Sequence, residues 1–145
     1  MDHPPSEAQS RSGLAVALLL LGSLGFAALW VLLALYTDRQ LGWMAMPGAI
    51  DAVLLLRLGG MRRGWKRAAC AVAATALIVV LANWGIAAGQ IGAVMGLLPW
   101  ESLLKLGLGY AWTLAQLAND GAELAWIVAA LVLAAWLGVR SAASR

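Results

Sequence analysis

Arg57-Leu-Gly-Gly-Met-Arg-Arg-Gly-Trp-Lys-Arg67 holds five of the chain's ten basic side chains and no acid. Long apolar stretches lie on both sides of it. A basic island between apolar segments is the pattern of a cytoplasmic loop joining two membrane spans, because Lys and Arg stay on the cytoplasmic side. Arg57, Arg62, Arg63, Lys66 and Arg67 are therefore read as topology residues, free to meet anionic lipid headgroups at about 1 kcal/mol each. Gly59, Gly60 and Gly64 suit a loop rather than a rigid recognition helix.

Composition supports lipid as the solvent. Of 145 residues, 63% are hydrophobic and 12% charged, with a mean hydropathy of +0.83. A soluble domain carries about 25% charged residues, so there is too little polar surface here to cover a water-soluble globule. The net charge of +3 does not point to nucleic acid, because the basic residues flank apolar spans and form no nucleic-acid-binding motif. Eight Arg against two Lys, with abundant Ala, Gly and Trp, fits a GC-rich bacterial genome and hence a bacterial inner membrane.

Working outward from the island, four spans are expected. Leu14–Tyr36 is too long for a signal-peptide core, which runs about 7–15 residues, and reads as a retained first span with Trp30 and Tyr36 as interfacial anchors. Leu41–Leu58 is the second; its apolar residues lie all round the helix, as burial in lipid or protein requires, and Pro47 is expected to kink it. The third begins at residue 68. Apolar character continues to Leu98, too far for one helix without steep tilt, so a break is expected near Gln90 and the span is placed at 68–89. The fourth is 122–139, opened by Asp120-x-x-Glu123 with the spacing of a capping box.

Between the last two spans, Glu101, Ser102, Lys105, Thr113 and Gln116 fall on one helical arc. Leu103, Leu106, Tyr110, Leu114 and Leu117 fall on the other. This predicts an amphipathic interfacial helix over Pro99–Asn119. Residues 1–12 and 141–145 are polar and read as cytoplasmic tails, the first disordered. With both ends inside, eight basic residues are cytoplasmic and only Arg39 and Lys105 lie outside. The expected fold is thus an all-α integral membrane protein, a single domain of four transmembrane helices over residues 13–140 with one interfacial helix.

Two features carry functional weight. Gly85, Gly89, Gly92 and Gly96 recur at helical spacing, and Ala71, Thr75 and Ala82 extend the stripe. Small residues let membrane helices approach closely, whether within the chain, in a homo-oligomer or against a partner protein. Span 4 has two shorter lines, Gly121/Ala125/Ala129 and Ala130/Ala134/Gly138. Asp51 is the one acid deep in a span, where an ionisable group is a functional candidate. It could relay a proton, bind a cation or pair with a partner's basic group. A lone acid makes a thin relay, which favours a structural hydrogen bond. Asn83 and Gln90 are the other intramembrane polar candidates.

The lone Cys70 can form no internal disulfide, His3 lies in the tail, and no catalytic, metal or phosphate-binding motif is present. No enzyme activity, cofactor or metal is expected. The leading expectation is a non-enzymatic accessory or interaction subunit of a membrane complex or homo-oligomer. The alternative is an ion or small-molecule transport component using Asp51.

Overall fold

A computed structural model describes residues 7–62, 64–105, 107, 109, 110, 112, 113, 116 and 120–140. The described residues are mostly helical and contain no strand. The elements are α1 (Glu7–Thr37), a 3-10 turn (Gly42–Met44), α2 (Ala45–Leu58), α3 (Trp65–Met95), α4 (Pro99–Lys105) and α5 (Gly121–Val139). Three are long and apolar enough to cross a membrane: α1 over Gly13–Thr37, α3 and α5. At 14 residues, α2 measures about 21 Å.

Several boundaries differ from the sequence expectation. Helix α1 starts at Glu7, so residues 7–12 are ordered helix rather than tail; nothing in EAQSR breaks a helix, and the apolar run behind it supplies the nucleus. Residues 1–6 and 141–145 lie outside the described set. Pro47 falls in the first turn of α2, where a missing N–H breaks no intrahelical bond, so it helps open the helix instead of kinking it. Helix α3 runs unbroken through Gln90 and stops only at Gly96, whose φ of 66° is the left-handed C-terminal cap that glycine takes without strain. Within the expected interfacial helix, Pro99–Lys105 is helix and the described residues Gly109, Tyr110, Trp112, Thr113 and Gln116 are helical too, with Gly107 outside any helix; Leu106, Leu114, Leu117 and Asn119 lie outside the described residues.

Contacts at the glycines set the directions of the helices. A Cβ on Gly85 would meet Val31 at 2.6 Å and one on Gly89 would meet Leu35 at 2.6 Å, so α1 and α3 run parallel in tight contact. Gly48 lies against Phe26, Gly22 against Leu55, and Gly59 against the backbone of Ala15, so α2 runs back between their ends. Gly138 sits on Ala68, with a Cβ position 2.5 Å from its Cα, so α5 opposes α3. Helices α2 and α3 form the shared middle, and each packs against both α1 and α5. Half of α3's apolar stretch is buried, against 22% for α1 and 17% for α5. The middle of the bundle is built from Ala45, Ala49, Ala52, Ala71 and Ala82 with Leu56, Ile78 and Ile86.

The register explains the length of α3. Gly85 and Gly89 sit level with Val31 and Leu35, so Gln90 is where α3 passes the end of α1. The polarity at Gln90 marks an exit from the bundle, and an α-helix can continue there because its backbone bonds are local. Gly89→Leu should force α1 and α3 apart and destabilise the bundle by about 1–3 kcal/mol, measured by SDS-induced unfolding in mixed micelles. Gly13→Leu, where no atom lies within 4 Å of a Cβ, should leave the unfolding midpoint unchanged.

Candidate functional site

The basic island divides in two. Arg57, Arg62 and Lys66 are exposed, and Arg63 lies outside the described residues. Arg67 is only 5% exposed, which corrects its assignment to the headgroups. Its position in the first turn of α3 places it beneath the end of α5. There Nε donates to the Gly138 carbonyl at 2.9 Å, and Nη2 to those of Arg140 at 2.9 Å and Leu137 at 3.4 Å. These carbonyls are the ones a helix end leaves unsatisfied, and a cation there also meets the negative end of the helix dipole. Arg140 stacks 4.0 Å over the Trp136 ring beside it. The close seat of Gly138 on Ala68 brings the carbonyls within reach.

At the opposite end a second polar set holds the loops. Gln40 Nε2 donates to Asn83 Oδ1 at 3.1 Å, while Asn83 Nδ2 donates to its own helix at Val79. Trp30 is 2% exposed and donates to the Gln40 carbonyl at 3.3 Å, so it is a core residue and not an interfacial anchor. Asp120 caps α5, accepting from Ala122 N and Glu123 N at 3.0 Å each. Glu123 does not complete the capping box; its carboxylate lies over Gly42, filling the space a side chain would need there.

Ser102 also departs from expectation. Expected on the polar arc of the interfacial helix, it is 1% exposed, and its Oγ donates to the Ala88 carbonyl at 2.7 Å. A Cβ on Gly92 would stand 2.7 Å from that Oγ. Glu101 turns back to accept from Leu98 N at 3.3 Å, the return half of a capping box. Thus α4 is pinned along α3.

The small-residue stripe is largely used within the chain. Gly85, Gly89 and Gly92 take Val31, Leu35 and Ser102, and Ala71, Thr75 and Ala82 are buried, Thr75 donating to Ala71 O at 2.8 Å. Gly96 is the helix cap, with open space around it. On α5 the two lines separate: Ala130, Ala134 and Gly138 are buried, whereas Gly121, Ala125 and Ala129 are exposed.

The three polar candidates occupy different places. Asn83 belongs to the loop-holding set. Gln90 is exposed and lines an open hollow of ≈ 500 Å³ with Leu35, Asp38, Val94 and Leu97. Asp51 is half-buried on α2. Its neighbours three before and four after, Gly48 and Leu55, face α1, while Ile50, Leu54 and Leu58 are exposed. It therefore lies at the outer edge of the α1–α2 seam, not in the middle of the bundle. Among the described residues no hydrogen-bond donor reaches its carboxylate.

Among the described residues no group of His, Cys, Asp and Glu could hold a metal. No family model, curated protein or solved structure matches the chain. The roles of Gln40, Ser102 and Arg67 were missed because each depends on a partner 14 to 73 positions away. A Ser in the first turn of a helix that follows a glycine stop was the one local hint.

Arg67→Met should leave the last carbonyls of α5 unpaired and cost about 1–3 kcal/mol, read as a lowered SDS-unfolding midpoint. Arg62→Met should leave that midpoint in place. Ser102→Ala should cost about 1 kcal/mol and speed hydrogen exchange in α4 while α1 and α2 keep their protection.

Proposed function

We propose that this chain is a small accessory subunit of a bacterial inner-membrane complex, without catalytic activity of its own. The observation that carries the reading is the exposed Gly121/Ala125/Ala129 line on α5. The α3 stripe and the second α5 line are already taken inside the chain, whereas this one is exposed and meets no partner among the described residues. Lipid tails are as apolar as Leu, so a small-residue face gains little from lipid and much from a close-fitting helix.

The same reading places four crossings in the bilayer with both termini in the cytoplasm. Parallel contact between α1 and α3 requires the chain between them to return, and residues 42–58 provide that return. With its 3-10 turn the segment extends about 27 Å, near the roughly 30 Å of hydrocarbon. The basic island and Arg140 then share one side, as positive-inside topology asks. Trp65 and Trp136 mark the cytoplasmic interface, and Trp43, Trp100 and Trp126 the outer one; all five are exposed. The transport alternative has less behind it, because Asp51, Asn83 and Gln90 sit at three separate places.

Ala125→Leu and Ala129→Leu should abolish the higher-mass band of the native membrane complex on blue-native gels, with monomer helicity and insertion retained. Ala134→Leu, on the buried line, should instead lower the stability of the monomer. Unchanged migration of the Ala125 and Ala129 variants would overturn the reading.

A further inference from the structure

We propose that Asp51 is the seat for a transmembrane helix of a different membrane protein, one carrying a Lys or Arg at mid-bilayer depth. The inference rests on the accessory-subunit reading and names the chemistry of the partner. Depth comes first. Asp51 lies between Gly48, which touches Phe26, and Leu55, which fills the space at Gly22. It is therefore level with residues 22–26 of α1, the middle of the Gly13–Thr37 apolar stretch. An acid at that depth pairs with another group or faces a protein interior or water-filled cavity. Among the described residues Asp51 does neither: it is on the outer edge of the α1–α2 seam and no donor reaches it.

The surroundings define the shape of the occupant. Ile50, Leu54 and Leu58 beside it are exposed and apolar, so the occupant presents an apolar face with one polar group. Gly25 lies on the α1 turn level with Asp51, between the α2-facing Gly22 and Phe26. It is exposed, and a Cβ there would meet nothing within 4 Å. The seam thus has a carboxylate on its α2 wall and a bare backbone on its α1 wall. A helix can approach that closely, and a basic side chain from it would neutralise the carboxylate as well as donate to it. A second copy of this chain does not supply that group. All ten basic residues lie near the chain ends, in the island with its flanks, or at the far end of the bundle at Arg39 and Lys105, and copies sharing one topology bring none of them to the level of Asp51.

The test uses the full chain, donor-labelled, in phosphatidylcholine vesicles with an acceptor-labelled Leu/Ala helix of about 22 residues. The helix carries Lys, Leu or Glu at its centre, and association is read by energy transfer. The Lys-centred helix should associate at least tenfold more tightly than the Leu-centred one. Asp51→Asn should erase that difference with helicity unchanged. Gly25→Leu should weaken it several-fold, and Asp51→Lys should move the preference to the Glu-centred helix. Equal association of the Lys and Leu helices, or a Lys preference that survives Asp51→Asn, overturns the proposal. So does Asp51-dependent energy transfer between two copies of the chain, which would make the occupant a second copy. If the Ala125→Leu and Ala129→Leu variants still lose the native complex while the helices show no preference, only the Asp51 assignment falls and the accessory-subunit reading stands.

Discussion

Close backbone approach at positions without a side chain is what the bundle depends on. In lipid, helices gain nothing by hiding Leu from its surroundings, because the surroundings are equally apolar. Packing energy must come from surfaces that fit. Here the fit is made by glycine against a larger neighbour: Val31 and Leu35 over Gly85 and Gly89, Leu55 over Gly22, and the backbones of Ala15 and Ala68 against Gly59 and Gly138. These contacts fix the register of α1 on α3. That register in turn requires the return of α2 and places Arg67 below the last turn of α5.

Polar groups act as clamps at the two ends. At one end a buried guanidinium takes three carbonyls that α5 could not satisfy alone. At the other, Gln40 on Asn83 and Ser102 on Ala88 O tie a loop and a short helix to α3. Between the clamps the bundle is almost wholly Ala, Gly and branched apolar residues, with Thr75 and Ser23 as buried hydroxyls. Asp51 stands out against this background because it is neither at a clamp nor in the middle.

Much was legible in the order of the residues. Helical class, the helix ends at Leu58, near the island and at Asp120, and the close-packing role of small residues follow from hydropathy, capping chemistry and spacing, all of which are local. The site was less legible. The Gly85/Gly89 stripe reads the same whether its partner is α1 or another protein, since the pattern requires only some helix that comes close. Gln90 reads as a break because polarity in an apolar run marks the end of something, here the end of the neighbour and not of the helix.

By itself, then, the sequence determined that this chain is helical, that it is apolar enough to cross a membrane, and where its charges cluster, because these depend on residue type and spacing alone; it read four spans, of which three helices are long and apolar enough to cross. Only the tertiary structure decided which faces are consumed. It turned Arg67 inward and Asp51 outward, buried one α5 line and left Gly121/Ala125/Ala129 open. The physical reason is register: a side chain is in or out according to which helix stands beside it at its own height. That height is set by glycine contacts between residues far apart in the chain, from Gly48 on Phe26 to Gly138 on Ala68.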